Sequence, residues 1–263
     1  MSARLMVALT PFVAMGTVRL ADAPATTTRY RIESKTEQVV DLSGMGQGNQ
    51  TNAFTQIALI SVTLSDTAGG KVMHVAVDSI SSDAPVVDPS MDPAKAKGAW
   101  LHGFIDPWGR TKIVASSSDS NLVVAQLKNS MARFLPVVKP GAKAGESWVD
   151  TNHVATKNSQ QAMKTTTVTT YTKGGAETRD GQPATRIEAK SATSGAGTME
   201  NPMAGTMDVE LTSSATEVFF VAGDGRYLGG EAKTNGKSMV RMAMAPDPFP
   251  VTITSATTVT VVK

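Results

Sequence analysis

The stretch that decides the fold runs from Phe54 to Ile80 and reads FTQIALISVTLSDTAGGKVMHVAVDSI. Two runs rich in β-branched residues flank a turn that contains Gly69 and Gly70, which is the sequence pattern of a β-hairpin. Because it is the most apolar stretch outside the N-terminus, we expect its two strands at the centre of a sheet. The apolar parity changes between Leu59 and Ile60, which predicts either a β-bulge there or a strand covered on both faces.

The composition indicates a β-rich, exported protein. Of the 263 residues, 41% are hydrophobic and 18% are charged, against about 25% charged residues in an average domain. Ser and Thr are abundant, and the formal net charge of +2 is too small to indicate nucleic-acid binding. Cysteine is absent, which excludes disulfides, thiolate metal sites and a cysteine nucleophile.

The N-terminal segment, residues 1–25, resembles a secretory signal. Arg4 precedes an apolar run from Leu5 to Val18, and the triplet Ala21-Asp22-Ala23 follows. The run is shorter than the roughly 20 apolar residues that a spanning helix needs. Pro24 would follow the cut, where a proline is unfavourable, so a cleaved signal and a retained apolar arm on a partner or a bilayer surface stay as alternatives. The arm would make its contacts through Leu5, Met6, Phe12, Val13 and Met15.

One strand and one helix are predicted around the hairpin. Residues from Arg29 to Leu42 alternate between apolar and charged side chains, which predicts a strand with one dry and one wet face. Ser120 to Leu135 carries an apolar stripe at helical spacing, with Ser120 as the N-cap and Pro136 beyond the end. A lone amphipathic helix in a β-rich chain is expected to cover one face of the sheet.

The rest of the chain is predicted to be strands and turns. A second hairpin spans His102 to Ala115, and further turns are expected at Asp180-Gly181, at Gly223 to Gly225 and at Asn235-Gly236. The later strands are expected at Glu146–Thr156, Met163–Tyr171, Thr185–Lys190, Thr206–Ser213, Glu217–Ala222, Arg226–Glu231, Met239–Met244 and Val251–Val262.

The two halves of the chain share a short pattern. Residues 104–110 read FIDPWGR and residues 220–226 read FVAGDGR, so Phe, Gly and Arg recur at the same spacing. This match predicts an internal duplication, with halves at about 26–138 and 139–263 inside a single domain of residues 26–263. The expected fold class is therefore mainly β: a curved antiparallel sheet or half-barrel with one amphipathic helix at about 120–135.

No catalytic or cofactor motif is present. The histidines His74, His102 and His153 are the only ones, and no His-x-x-x-His, His-Glu-x-x-His or Gly-x-Ser-x-Gly occurs. The glycines at 44, 46 and 48 lack the spacing of a dinucleotide fingerprint and are interpreted as a loop. We therefore expect no catalytic residue, no cofactor and no metal, with a hydrolase site assembled from distant residues as the alternative.

Methionine and tryptophan supply the other candidate contacts. Met199, Met203 and Met207 recur every four residues; thioethers can bind Cu(I), but methionine more often serves as a deformable contact residue. We interpret the loop at 201–205 as an apolar surface that docks on another protein. Trp108, at a turn tip, is expected either to anchor an interface or to fold back onto the sheet.

These elements together carry a resemblance to known proteins. They are the strand Arg29–Leu42, the hairpin 54–80, the connection from Leu135-Pro136 to Gly145-x-x-Trp148, and the turns at Asp180-Gly181 and Gly225-Arg226. Over about residues 28–235 the chain resembles uncharacterised exported bacterial proteins, which implies a curved sheet with a covering helix, like the half-barrel of lipoprotein carriers. As a whole it also resembles the β-rich periplasmic accessory subunit of bacterial photosynthetic reaction-centre and light-harvesting complexes, although no pigment or haem motif accompanies this likeness.

Three functions follow as expectations. The first is a non-catalytic, periplasmic and membrane-associated scaffolding subunit, with other protein subunits as partners, a membrane surface as a further contact, and no nucleic acid. The second is a periplasmic carrier whose curved sheet cups a lipid or another apolar ligand beneath the helix. The third is a hydrolase that uses one of the three histidines.

Overall fold

The computed structural model describes residues 25–84, 92–118, 121–157, 161–201, 205–242 and 247–263. They form one antiparallel sheet of eleven strands, curled into a half-barrel, with one α-helix in the described part of the chain. The elements are β1 Thr26–Asp41, β2 Asn49–Thr67, β3 Gly70–Ser82, β4 Trp100–Ile105, β5 Thr111–Ser116, α1 Leu122–Met131, β6 Ser147–Lys157, β7 Gln161–Arg179, β8 Gln182–Asn201, β9 Gly205–Ala222, β10 Tyr227–Met242 and β11 Phe249–Val262. The predicted fold class is confirmed.

The strand order is β5-β4-β3-β2-β1-β11-β10-β9-β8-β7-β6. Two meanders, one before α1 and one after it, therefore meet where β1 pairs with β11, with Tyr30 opposite Val261 and Val40 opposite Val251. The hairpin predicted from residues 54–80 is present as β2 and β3, but it lies to one side of the middle strand β11. The expectation of a central hairpin was wrong because the middle of the sheet is set by the pairing of β1 with β11. This long-range pairing cannot be predicted from a local sequence pattern.

A β-bulge interrupts the pairing of β2 with β3 at the predicted point. Leu59 lies opposite Ser79 and Ile60 opposite Val77, so Asp78 of β3 is the extra residue. The Asp78 carboxylate accepts hydrogen bonds from Arg29 Nε at 3.0 Å and from Ser61 Oγ at 2.9 Å. The bulge therefore lets Ile80 pack against the main core together with Met73, Val75 and Val77, while Asp78 stays on the outer face.

The main core lies between the inner face of the sheet and α1. Its largest fully buried side chains are Ile60, Met73, Val75, Leu101, Val124, Met131 and Ile187. Each such side chain contributes about 1.5–3 kcal/mol by leaving water. They come from both meanders and from the helix, so the core joins the two meanders as the β1 and β11 pairing does.

The helix is shorter than predicted and begins one residue later. Asn121 is the N-cap, and its Oδ1 accepts from the backbone N–H of Val123 at 2.9 Å and of Val124 at 3.1 Å. The predicted cap, Ser120, lies outside the described residues. After Met131 the chain continues in i→i−3 turns as far as Phe134, whose N–H donates to Met131 O at 3.3 Å, so the apolar stripe extends beyond the α-helix itself.

A polar band separates the main core from a second apolar cluster further along the inner face. The second cluster is built on Val209, Val240 and Val251. Between the two, hydroxyl pairs join neighbouring strands: Ser34 with Thr257 at 2.9 Å and Thr167 with Thr193 at 2.8 Å. Some of the abundant Ser and Thr residues therefore lie inside the half-barrel and not only on its surface.

Two predicted strand breaks do not exist. The segments expected at Thr206–Ser213 and Glu217–Ala222 form the single strand β9, and Asn235-Gly236 lies inside β10. Asn235 pairs with Ser214 of β9 and Thr254 of β11. An Asn-Gly pair forms a tight turn only when the residues on either side pair with each other; here both sides pair with neighbouring strands instead.

The other predicted turns are confirmed. Asp180 and Gly181 both have positive φ, at 50° and 78°, as a type I′ hairpin turn requires. The matched segments 104–110 and 220–226 form equivalent turns: the N–H of Gly109 donates to Asp106 O at 2.9 Å, and the N–H of Gly225 donates to Ala222 O at 2.9 Å. In the described part of the chain, five strands precede α1 and six follow it, so duplication of the complete halves stays a prediction.

Candidate functional site

Four aromatic rings meet on the inner face of the sheet. Phe134, just after α1, makes edge contacts with Tyr30 of β1 and Tyr227 of β10, with ring centroids 5.1 and 5.2 Å apart. Tyr30 and Tyr227 stack at 5.7 Å, and Phe219 of β9 lies 6.1 Å from Tyr227. The Tyr30 hydroxyl donates to the Tyr227 carbonyl oxygen at 2.9 Å. This aromatic cluster joins both meanders to the end of the helix.

A cavity of about 290 Å³, here called the helix cavity, lies between α1 and the central strands. Its walls are mostly apolar and include Ile32, Ala58, Leu127, Ala232 and Val259. Phe134, Phe219 and Tyr227 close it on the side of the aromatic cluster.

A second cavity of about 570 Å³, here called the turn cavity, lies on the other side of Tyr227. It is bounded by the hairpin turn at 106–109, the turn at 224–225 and the segment 135–138. Tyr30, Val62 and Ile105 form part of its floor. Tyr227 lines both cavities, so the two spaces are neighbours across a single side chain.

The helix cavity has a buried ion pair in its wall. Arg133 Nη2 donates to Glu217 Oε1 at 2.8 Å and to Ser191 Oγ at 3.1 Å. Only 12% of the Glu217 side chain is exposed. Burial raises the pKa of the Glu217 carboxyl, while the positive charge of Arg133 lowers it. The pair therefore fastens the end of the helix segment to β8 and β9 without leaving either charge unpaired.

The tyrosines are unsuited to acid or base chemistry near neutral pH. Burial raises the pKa of Tyr30 to about 12 and raises that of Tyr227 still further. Tyr171, which stacks on Trp148 with centroids 5.9 Å apart, also has its pKa raised to about 12, mainly by burial. All three phenols stay protonated in physiological conditions, so they can donate hydrogen bonds and pack but cannot accept a proton.

The three histidines do not meet at one site. His74 and His102 are opposite each other on β3 and β4, with the Nδ1 atoms 3.4 Å apart. His153 of β6 pairs instead with the Thr166 hydroxyl at 3.0 Å. Among the residues that the structure describes, no group of three or more His, Asp or Glu side chains could hold a metal ion.

The candidate contact residues fall into three groups. Trp108 is half-buried against the main core, with the Arg110 guanidinium 4.9 Å from its ring, so of the two alternatives the structure has the ring folded back. Met199 is 38% exposed and lies opposite Met207, which packs against the second cluster. The remaining candidates, which lie outside the described residues, are Leu5, Met6, Phe12, Val13, Met15 and Met203.

The sequence did not single out the aromatic cluster or its cavities. The sequence did indicate that two members of the cluster are core residues, because Tyr30 lies on the apolar face of an alternating strand and Phe134 ends an apolar helical stripe. Their meeting with Tyr227 requires the order β1-β11-β10, which is a long-range property of the chain.

Comparisons with known proteins leave the family open. No family model matches the chain, and no curated protein matches it. A solved structure described as "Asymmetric conductivity of engineered proteins" covers 90% of this chain at 11% identity and a TM-score of 0.29, with all of its own chain aligned. A mutant of the Rh. blastica porin covers 89% at 9% identity and a TM-score of 0.27, again over its whole chain. Within the described residues, no helix combines the length and apolar character needed to cross a bilayer.

Proposed function

We propose that this protein is a non-catalytic binding protein that holds an apolar ligand on the inner face of its half-barrel. The observation that carries the proposal is the pair of neighbouring cavities, about 290 and 570 Å³, that share the side chain of Tyr227. Ligand sites in proteins typically have volumes of about 300–1,000 Å³ and mostly apolar walls with a few polar groups. The Tyr227 ring, which packs against Tyr30, Phe134 and Phe219, lies between the two spaces.

The chemistry of the walls favours an uncharged, largely apolar ligand. Ion pairs neutralise most of the charged side chains that line the two cavities: Arg133 pairs with Glu217, Lys71 with Asp66, Arg226 with Asp224 and Asp106 with Arg110, while Glu231 is exposed to solvent. A ligand with a net charge buried there would have to break one of these pairs or leave a charge uncompensated. A lipid or another molecule with a long apolar portion meets no such penalty.

The helix is well placed to act as a cover for the bound molecule. Val123, Leu127 and Met131 of α1 line the helix cavity, and the segment after the helix is held by the Arg133 and Glu217 pair. The signal-like N-terminal sequence supports export of such a carrier, in keeping with the periplasmic carrier of the second expectation above.

Native mass spectrometry of protein purified without detergent tests the proposal. We expect an apolar mass to remain bound, and we expect the delipidated protein to take up the uncharged probe 1-hexadecanol. Ala232→Leu adds volume inside the helix cavity and should weaken hexadecanol binding at least fivefold. Ala155→Leu, at an exposed position on β6, is the matched control and should bind as the unaltered protein does. Absence of any bound mass together with no uptake of hexadecanol would exclude the carrier function.

A scaffolding subunit is the second candidate, and a different observation favours it. Exposed valines lie on strands at or near both margins of the sheet: Val114 of β5 is 64% exposed, Val149 of β6 58%, Val72 of β3 46% and Val168 of β7 42%. Exposed apolar residues on the marginal strands fit contacts with neighbouring subunits. We therefore propose, as the alternative, a periplasmic subunit that braces other protein subunits of a membrane complex, including a photosynthetic reaction-centre and light-harvesting assembly.

Co-migration in mildly solubilised membranes separates this candidate from the carrier. A scaffold should migrate with its partner subunits, and Val149→Lys with Val168→Lys should release it, whereas Ala155→Lys at a nearby exposed position should not. If the unaltered protein migrates alone, the scaffolding function is excluded.

A further inference from the structure

Two histidines form an isolated pair on the outer face of the sheet. His74 of β3 and His102 of β4 are directly opposite each other in the antiparallel ladder. Their ring centroids are 4.5 Å apart and their Nδ1 atoms 3.4 Å apart. His102 is exposed and His74 half-buried, so a small solute can reach both rings. The two histidines and the two cavities therefore lie on opposite sides of the sheet.

The nitrogen separation is long for a hydrogen bond but suits a shared metal ion. Good N–H hydrogen bonds have donor to acceptor distances of about 2.7–3.2 Å, and the two nitrogens exceed that range. Two ligands of a tetrahedral zinc ion with Zn–N bonds of about 2.0–2.1 Å lie about 3.3–3.4 Å from each other. The two Nδ1 atoms thus already stand at the spacing of two corners of such a tetrahedron.

We infer that His74 and His102 bind a divalent transition-metal ion of the zinc or copper class through both Nδ1 atoms. Each ring then carries its proton on Nε2, and water completes the coordination. The strand pairing fixes the two backbones, so little side-chain ordering is required beyond two rotamers. Imidazole nitrogen is a preferred ligand of Zn²⁺ and Cu²⁺, and Cu²⁺ binds the more tightly of the two.

The surroundings agree with a two-ligand site. Asp78 is the next acid along the outer side of β3, but Arg29 and Ser61 hold its carboxylate. Thr63 of β2 and Ala115 of β5 lie opposite the two histidines, and neither adds a charge.

Isothermal titration of the full chain with Zn²⁺ at pH 7.5, in a weakly coordinating buffer, tests the site. We expect one ion per chain. His74→Ala and His102→Ala should each weaken Zn²⁺ binding at least about tenfold. Even the removal of a residue that only hydrogen-bonds to a metal ligand typically lowers metal affinity 10–100-fold. His153→Ala removes the third histidine, which pairs with Thr166, and is the matched control that should bind normally.

A second readout uses the tryptophan beside the pair. The Trp100 ring lies 4.8 Å from the His102 ring, so Cu²⁺ at the site should quench Trp100 fluorescence. His74→Gln keeps a polar side chain at this surface position but removes a metal ligand, so Cu²⁺ should no longer quench the fluorescence. In Trp100→Phe the quenching by Cu²⁺ should also be lost, because the fluorophore beside the site is gone. The inference is overturned if the unaltered protein binds no Zn²⁺, if both alanine variants bind as tightly as it does, or if His153→Ala weakens binding equally.

Discussion

Arg110 and Asp150 connect the two opposite margins of the sheet, with Nε donating to Oδ1 at 2.7 Å. Arg110 precedes β5, and Asp150 lies on β6, so the contact joins strands that stand at the two ends of the strand order. At this end an ion pair therefore fastens the half-barrel across its opening.

The first prediction concerns this ion pair. A double-mutant cycle with Arg110→Gln and Asp150→Asn should give a coupling free energy of up to about 1 kcal/mol, since Arg110 is half-exposed and solvent screens the charges. Urea unfolding of the four proteins measures it. The Lys71 and Asp66 pair, in which Asp66 is 61% exposed, is the control and should couple more weakly. Equal coupling in both cycles would show that the margin contact has no special role.

The second prediction concerns the aromatic cluster. Tyr30→Phe keeps the ring contacts but removes the hydrogen bond to the Tyr227 carbonyl oxygen, so unfolding free energy should fall by about 1–2 kcal/mol. Thr27→Val removes the exposed hydroxyl contact with Thr63 at 2.8 Å and should change stability little. The comparison is made by denaturant unfolding; similar losses in the two variants would contradict the importance of the buried bond.

The third prediction concerns pH. The pKa of Glu217 is raised in the folded protein, so the stability that this group contributes is complete below its ordinary pKa and declines as pH rises through the folded value. Glu217→Gln lacks this titration. The two proteins should be nearly equally stable near pH 4, and the variant should become relatively more stable towards pH 8.

Glu146 serves as a control because its pKa is shifted in the opposite direction. Hydrogen bonds from Lys139 and from the Lys143 backbone lower the pKa of Glu146, so its contribution is present above the ordinary pKa and is lost as pH falls. Glu146→Gln should therefore differ from the unaltered protein most at neutral pH and least in acid. Unfolding free energies measured from pH 2 to pH 8 check both variants; parallel curves for Glu217→Gln and the unaltered protein would contradict the prediction.

The fourth prediction concerns a glycine in β8. A Cβ at Gly197 would overlap the backbone oxygen of Ala162 and lie 2.7 Å from the Met163 sulfur, so Gly197→Ala should lower stability by about 1–3 kcal/mol through overpacking. Gly175 of β7 has no heavy atom within 4 Å of its Cβ position, and Gly175→Ala should be neutral or slightly stabilising. Thermal unfolding of both variants distinguishes them.

Local patterns predicted the elements of this fold better than their arrangement. The bulge at Leu59 and Ile60, the Asp180-Gly181 turn and the helix near 120–135 each follow from a few neighbouring residues, and all three are present. The interpretation of Asn235-Gly236 as a turn failed because pairing partners on both sides decided its conformation.

The candidate site depended even more on long-range structure. Tyr30, Phe134 and Tyr227 each looked like an ordinary core residue in the sequence, and only the pairing of β1 with β11 brings them together. The two cavities are likewise spaces left between elements from different meanders, for which no residue pattern exists. The spacing of His74 and His102 was equally hidden, because it depends on the register between β3 and β4.

Since β1 finds its second partner only in β11, the ribosome must release the chain as far as Val262 before the half-barrel can be completed. Until then one edge of β1 has unpaired backbone N–H and C=O groups, which can pair wrongly with other nascent chains. Maturation of this protein should accordingly be slow and dependent on chaperones that shield that edge, because distant contacts form late.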